Sequence, residues 1–103
     1  MDNDMIKEPW NLRVCDHAVE RYRERSGGDK VKPEIAANIL RDIVINGREM
    51  VFKNKADELR QILKHDCNKA RYFQDGLFMV VVENGVIVTT HLAEAGKWKR
   101  KNA

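Results

Sequence analysis

Apolar residues in the first half of the chain recur three or four positions apart, which is the spacing of one face of an α-helix. The clearest stripe begins after Pro33, a residue suited to the first turn of a helix, and ends at Asn46-Gly47. Its members are Ile35, Ile39, Leu40, Ile43 and Val44. The pattern predicts an amphipathic helix that buries this stripe.

Two further helices and a strand are predicted around it. Residues 16–25 form the first helix, with Asp16 as its N-cap and Ser26-Gly27-Gly28 as its end. A short strand is expected at 49–53. Residues 56–64 carry a shorter apolar stripe, which indicates an additional helix.

The second half of the chain has the pattern of an antiparallel sheet. Asp75-Gly76 and Asn84-Gly85 favour two-residue turns, and apolar, β-branched or aromatic segments flank both. Three consecutive strands are therefore predicted at 69–74, 77–83 and 86–92. The fold class is α+β, with two N-terminal helices packed on an antiparallel meander of three to four strands.

Tight turns also predict which residues oppose one another. Phe73 should lie opposite Phe78, and Phe78 opposite His91. On the same face Arg71, Val80 and Thr89 should align. The other face is the more uniformly apolar one and is expected to pack against the helices; its members are Ala70, Tyr72, Leu77, Met79, Val81, Val86 and Val88.

The face that carries Arg71 and His91 mixes aliphatic residues with a cation, a hydroxyl, an imidazole and an aromatic pair. Such a surface is expected to hold a ligand or to be covered, by the third helix or by a second copy of the protein.

Length and charge narrow the class of protein. A chain of 103 residues supports one domain, placed at 13–92, between an extension at 1–12 and a basic tail at 93–103. The net charge of +3 is compatible with an anionic partner. The longest apolar run, at 77–82, is too short to cross a bilayer, and the acidic start is unlike a signal peptide, so a cytoplasmic protein without membrane association is expected.

One short segment near the start carries candidate chemistry. His17, Arg21 and Arg25 are spaced four residues apart, so a helix places them along one stripe. An imidazole that exchanges a proton near neutral pH then lies beside two permanent cations, a set suited to phosphate. Because Glu20 and Glu24 lie among them, the alternative is a solvated helix face.

This motif also carries a resemblance to a known family. A His-Ala-x-x-Arg-x-x-x-Arg first helix at 17–25 and a closing Val-Ile-Val-Thr-Thr-His strand at 86–91 resemble the small bacterial and phage domains of the barnase–EndoU–colicin–RelE superfamily. The resemblance spans about residues 13–92. It implies that fold and, since metal-independent RNA cleavage is common among toxins of the superfamily, a ribonuclease-like toxin or phage effector. The matching positions are His17, Arg21, Arg25 and Thr89 or Thr90, with His91 as a further candidate.

Cleaving RNA without a metal needs a base for the 2′-hydroxyl proton, an acid for the leaving 5′-oxygen and cations for the phosphate. His91 with His17 or Arg71 is the predicted acid–base pair. Arg71, Arg21 or Arg25 would hold the phosphate, and Thr89 would donate a hydrogen bond. Neither a metal nor another cofactor is expected.

RNA contacts beyond this set come from cations and aromatic rings, which bind phosphates and stack on unpaired bases. The predicted residues are Arg25, Phe73, Phe78, Lys97, Trp98, Lys99 and Arg100. For the phenylalanine pair, a core or interface contact is the favoured alternative. The tail serves equally as a frayed terminus with Trp98 folded onto the domain.

Two other functions stay open at this point. One is a non-catalytic protein-binding or inhibitor domain, or a homodimer, that uses the mixed sheet face; the other is a small nucleic-acid-binding protein. A zinc site is a further hypothesis, because Cys15, His17, His65 and Cys67 supply the right ligand types. Their spacing is atypical for zinc, and the alternative is two reduced cysteines.

Overall fold

The computed structural model describes residues 9–65 and 70–101, and these ranges contain three helices and a six-stranded sheet. The helices are α1 (Asp16–Ser26), α2 (Pro33–Asn46) and α3 (Lys55–His65). The strands are β1 (Arg13–Val14), β2 (Arg48–Phe52), β3 (Arg71–Asp75), β4 (Phe78–Glu83), β5 (Val86–Leu92) and β6 (Trp98–Arg100). Short 3-10 turns lie at Pro9–Asn11 and Gly28–Lys30. In this part of the chain no helix has the length and apolar character that crossing a membrane requires.

The sheet confirms the α+β class and corrects its details. Its strand order is β1-β5-β4-β3-β2-β6, with β1 parallel to β5 and every other pair antiparallel. The expected antiparallel meander of three to four strands is therefore the centre of a larger, mixed sheet. The two unforeseen strands lie at its edges and are only two and three residues long, too short to show a period in the sequence.

The three predicted helices are confirmed, with two local corrections. The N-cap of α1 is Cys15, whose backbone is extended. Asp16 lies in the first turn, where its negative carboxylate interacts favourably with the positive end of the helix dipole. In α2 the buried positions are Ala36, Leu40, Ile43 and Val44. Ile35, which was expected in the stripe, is 49% exposed.

Helices α1 and α2 pack on the face of the sheet that was expected to hold a ligand, so that prediction is wrong. This helix-side face contributes Phe73, Val80, Val82 and Ile87 to the core, together with Leu40 and its neighbours on α2. The opposite face, here called the outer face, carries Tyr72, Met79, Val81, Thr89 and His91 by strand alternation.

The strand pairing differs from the prediction in both hairpins, and only the second difference changes which residues share a face. In the first hairpin Asp75 pairs with Phe78, so the turn residues are Gly76 and Leu77, and Phe73 opposes Val80 instead of Phe78. In the second hairpin the register is interrupted: Val82 pairs with Ile87, but Val81 pairs with Thr89.

Val88 is thus an extra residue in β5 with no opposing residue on β4, which is a β-bulge. Because strand side chains alternate between faces, the extra residue moves everything after it to the other face. Thr89 and His91 therefore lie on the outer face, opposite Val81 and Met79. The expected pairing of Phe78 with His91 is wrong, since Phe78 opposes Leu92.

Replacing Gly47 with alanine should destabilise the fold. The added Cβ would lie 2.7 Å from the carbonyl oxygen of Gln74 and against that of Ile43, and neither backbone atom can move without disturbing β3 or the end of α2. We expect a loss of about 3 kcal/mol in the free energy of unfolding, measured with urea. Gly76→Ala is the control, because its Cβ meets open space and only its positive φ of 61° is unfavourable, at about 1 kcal/mol. A loss at Gly47 no larger than that at Gly76 would contradict this packing.

Candidate functional site

A groove of about 660 Å³ crosses the outer face of the sheet. Its floor is a row of side chains on neighbouring strands: Thr89 pairs with Val81, and Val81 with Tyr72. Phe52 and Trp98, a pair on β2 and β6, continue the lining toward one edge. At the other edge α1 contributes His17, Arg21 and Arg25. We call this the outer groove.

The position of α1 follows from its connection to the bulge. The backbone N–H of Cys15 donates to the carbonyl of Ile87 at 3.0 Å, and its thiol donates to the carbonyl of Val88 at 3.0 Å. The helix begins at the next residue. Ala18 is buried, and Tyr22 lies against Phe78, with ring centroids 5.0 Å apart.

With Ala18 and Tyr22 directed to the core, the stripe of His17, Arg21 and Arg25 borders the outer groove, as the helical spacing predicted. All three side chains are exposed. Arg21 lies 3.6 Å from Glu24, but both side chains are largely solvated, so the pair is weak. Within the described residues Arg25 makes no ion pair. These guanidinium groups are accessible to an anion in the groove.

The ring of His91 has a defined hydrogen-bonding arrangement. Its Nδ1 lies 3.1 Å from the carbonyl oxygen of Leu92. Since a carbonyl only accepts hydrogen bonds, the neutral imidazole that makes this contact carries its proton on Nδ1. The lone pair of Nε2 is then available to accept a proton.

Of the two adjacent threonines, Thr89 is the one whose side chain belongs to the outer face. Thr90 is 1% exposed, and its hydroxyl donates to the carbonyl of Met79 at 2.6 Å. The sequence left both positions open, and the bulge decides between them.

Arg71 is not part of the groove, so its expected alignment with Thr89 is wrong. It opposes Val82, on the helix-side face. Its Nε and Nη2 donate to the two carboxylate oxygens of Glu49, at 2.8 and 2.6 Å, and Lys101 approaches the same carboxylate at 3.5 Å. This bidentate pair ties β3 to β2 and is a structural contact.

The other predicted RNA contacts divide between the groove and the rest of the fold. Phe73 is buried in the core and Phe78 packs on Tyr22, so neither ring is a platform for a base. The segment predicted as a basic tail forms β6. Of its four predicted RNA-binding residues, Lys97 and Trp98 line the outer groove, whereas Lys99 and Arg100 do not.

Sequence reasoning missed several groove residues. Phe52 and Tyr72 lie beside Trp98, and the carboxylates of Glu83 and Glu94 also line the groove. Alternation along β3 does place Tyr72 on the opposite face of the sheet from Phe73. Its contact with Trp98, however, depends on the pairing of β6 with β2, which the sequence does not reveal.

Of the four residues in the zinc hypothesis, the structure describes the side chains of Cys15 and His17. Cys67 and the side chain of His65 lie outside the described residues. Across residues 9–65 and 70–101, no group of three or more histidine, cysteine, aspartate or glutamate side chains is arranged to hold a metal ion. Cys15 is a free thiol held by Val88.

Comparisons with family models, curated proteins and solved structures give no match. The assignment of a function therefore rests on the residues of the outer groove.

The different positions of the two threonines predict different effects of removing each hydroxyl. Thr90→Val should lower the free energy of unfolding by about 1 kcal/mol, because the buried hydrogen bond to Met79 is lost. Thr89→Val should change it by less than about 0.5 kcal/mol. Urea unfolding of the two variants measures both, and the reverse order of effects would place Thr89 in the core and contradict the bulge.

Proposed function

We propose that this chain is a metal-independent endoribonuclease-like domain that acts on RNA in the outer groove. The observation that carries the proposal is the bulge, which brings Thr89 and His91 to the same groove as His17, Arg21 and Arg25. Two imidazoles, two guanidinium groups and a hydroxyl then border one site. These are the groups that cleavage of a phosphodiester by its own 2′-hydroxyl requires.

In the proposed reaction His91 is the base. Its Nε2 takes the proton of a ribose 2′-hydroxyl, and the 2′-oxygen attacks the adjacent phosphorus. The hydrogen bond from Nδ1 to Leu92 supports this role, because it leaves Nε2 unprotonated in the neutral ring. The bond from phosphorus to the 5′-oxygen breaks, which yields a 2′,3′-cyclic phosphate and a 5′-hydroxyl.

The imidazolium of His17 donates the proton that the leaving 5′-oxygen takes up. Arg21 and Arg25 follow it along α1 and contact the phosphate, whose negative charge increases as phosphorus becomes five-coordinate. Thr89 donates a hydrogen bond to a phosphate oxygen. Each of these side chains is accessible at the groove, so a substrate reaches them without opening the core.

The resemblance to the barnase–EndoU–colicin–RelE superfamily belongs to the same proposal. Its matching positions, His17, Arg21, Arg25 and Thr89, border one groove, as a shared site would require. A role as a toxin or phage effector, acting on RNA inside a cell, is the corresponding biological assignment.

Cleavage of a mixed RNA pool by the purified protein in EDTA tests the proposal. We expect cleavage with cyclic phosphate ends and a bell-shaped dependence of kcat/KM on pH, because an acid and a base must be in opposite protonation states. His91→Ala and His17→Ala should each lower kcat by about 10²–10⁴-fold. Arg21→Gln should lower it by about 10²-fold, while Arg60→Gln, an exposed arginine of α3 outside the groove, is the matched control.

An RNA pool that stays intact with wild-type protein, or a full rate in His91→Ala, would refute the catalytic proposal. Salt-dependent RNA binding without cleavage would select the non-catalytic nucleic-acid-binding alternative.

Arg71→Met should separate stability from activity. Removal of the bidentate pair with Glu49 should lower the free energy of unfolding by about 1–3 kcal/mol, since the remaining carboxylate is partly buried. The folded variant should retain the wild-type kcat, because Arg71 lies on the helix-side face. Urea unfolding and the EDTA cleavage assay measure the two quantities. A loss of kcat comparable to that of His91→Ala would return Arg71 to the catalytic set.

A further inference from the structure

Three aromatic rings lie together at the β2–β6 end of the outer groove. The ring centroids of Phe52 and Trp98 are 4.2 Å apart, those of Tyr72 and Trp98 are 4.9 Å apart, and those of Phe52 and Tyr72 are 5.3 Å apart. All three residues line the groove. We call this set the aromatic triad.

The triad has a buried member and two partly exposed ones. Trp98 is 8% exposed, whereas Phe52 and Tyr72 each retain an accessible part. The two outer rings are therefore supported from behind by the indole. Aromatic faces held in this way are suited to stacking on another flat ring, because little side-chain freedom is left to lose.

The indole of Trp98 also has an unused hydrogen-bond donor. Its Nε1 is buried and has no partner among the described residues. A buried donor without a partner is unfavourable, so a ligand acceptor that reached this atom through a shift of the ring on binding would stabilise the complex. An aliphatic side chain from a protein partner would fill the space without supplying that acceptor, whereas a nucleobase combines a flat ring with carbonyl and ring-nitrogen acceptors.

The charges around the triad fit a ligand with phosphates. The ammonium group of Lys97 lies 5.9 Å from the centroid of the Phe52 ring and 3.7 Å from the carboxylate of Glu94. At the other end of the same groove are the arginines of α1. A strand with a base on the triad would thus find the guanidinium groups of Arg21 and Arg25 at the α1 end, whereas Glu94 offsets the charge of Lys97.

We propose that the aromatic triad is a base-binding subsite, and that the outer groove selects single-stranded RNA with an unpaired base. The inference rests on the proposed function, because the groove that holds the base is the one assigned to cleavage. Bases within a duplex are stacked on each other and cannot present a face to Tyr72 or Phe52. The subsite would position the strand so that a neighbouring phosphodiester lies among the groups of α1 and β5.

Tryptophan fluorescence tests the subsite without depending on cleavage. The chain contains two tryptophans, Trp10 and Trp98, so Trp10→Phe makes Trp98 the only one. The probes are a 2′-O-methyl RNA pentamer, which cannot form the cyclic phosphate, its duplex, and an abasic pentamer with the same phosphates. We expect the single-stranded pentamer to quench Trp98 and to bind at least about tenfold more tightly than the duplex or the abasic strand.

Variants of the outer rings show whether stacking is responsible. In the Trp10→Phe background, Tyr72→Leu and Phe52→Leu should each weaken binding of the pentamer by about tenfold. Tyr72→Phe keeps a ring and should bind as the parent does, which separates lost stacking from a disturbed fold. Binding of the abasic pentamer should be the same in all four proteins.

The outcomes distinguish the two proposals. Base-dependent quenching by the pentamer supports the subsite even where RNA is not cleaved, in which case only the catalytic proposal fails. Cleavage with equal affinity for the single strand, the duplex and the abasic strand overturns the subsite and leaves the catalytic proposal standing. Absence of any change at Trp98 with all three probes also overturns the subsite.

Discussion

The β-bulge at Val88 decides which residues of β5 enter the core and which face the outer groove. Before it, β5 pairs in the register that the Asn84-Gly85 turn sets, and Ile87 enters the core. After it, every side chain changes face, so Thr90 is buried while Thr89 and His91 reach the outer groove. In a regular hairpin an imidazole would have to lie opposite Phe78 in the core. One additional residue thus keeps the imidazole out of the core and places it in the groove on the other face.

The same bulge also fixes the helix that completes the groove. Cys15 donates its N–H to Ile87 and its thiol to Val88, and α1 starts immediately afterwards. The first helix and the end of β5 are distant in sequence but share this anchor. The motif of His17, Arg21 and Arg25 and the threonines of β5 therefore border one groove because a single irregularity positions both. The Arg71–Glu49 pair performs a separate task, joining β3 to β2 on the helix side.

The parts of the fold that depend on local pattern could be predicted from the sequence, and those that depend on contacts between distant segments could not. The period of α2, its proline start and its Gly47 end are local, and so is the stripe of α1. The bulge leaves no local signal, because Val88 is as good a strand residue as its neighbours. Edge strands β1 and β6 exist only through pairing with β5 and β2. Arg71 was wrongly aligned with Thr89 because the bulge moves Thr89 to the other face, and the aromatic triad was missed because Trp98 joins it through β6.

Nuclear Overhauser contacts between β4 and β5 in isotopically labelled protein reveal whether Val88 forms a bulge in solution. We expect backbone contacts that pair Thr89 with Val81, Thr90 with Val80 and His91 with Met79. Contacts that pair Thr89 with Val80 and His91 with Phe78 would show a hairpin without the bulge. Thr89 and His91 would then face the helices, and the outer groove would lose the residues on which its assignment depends.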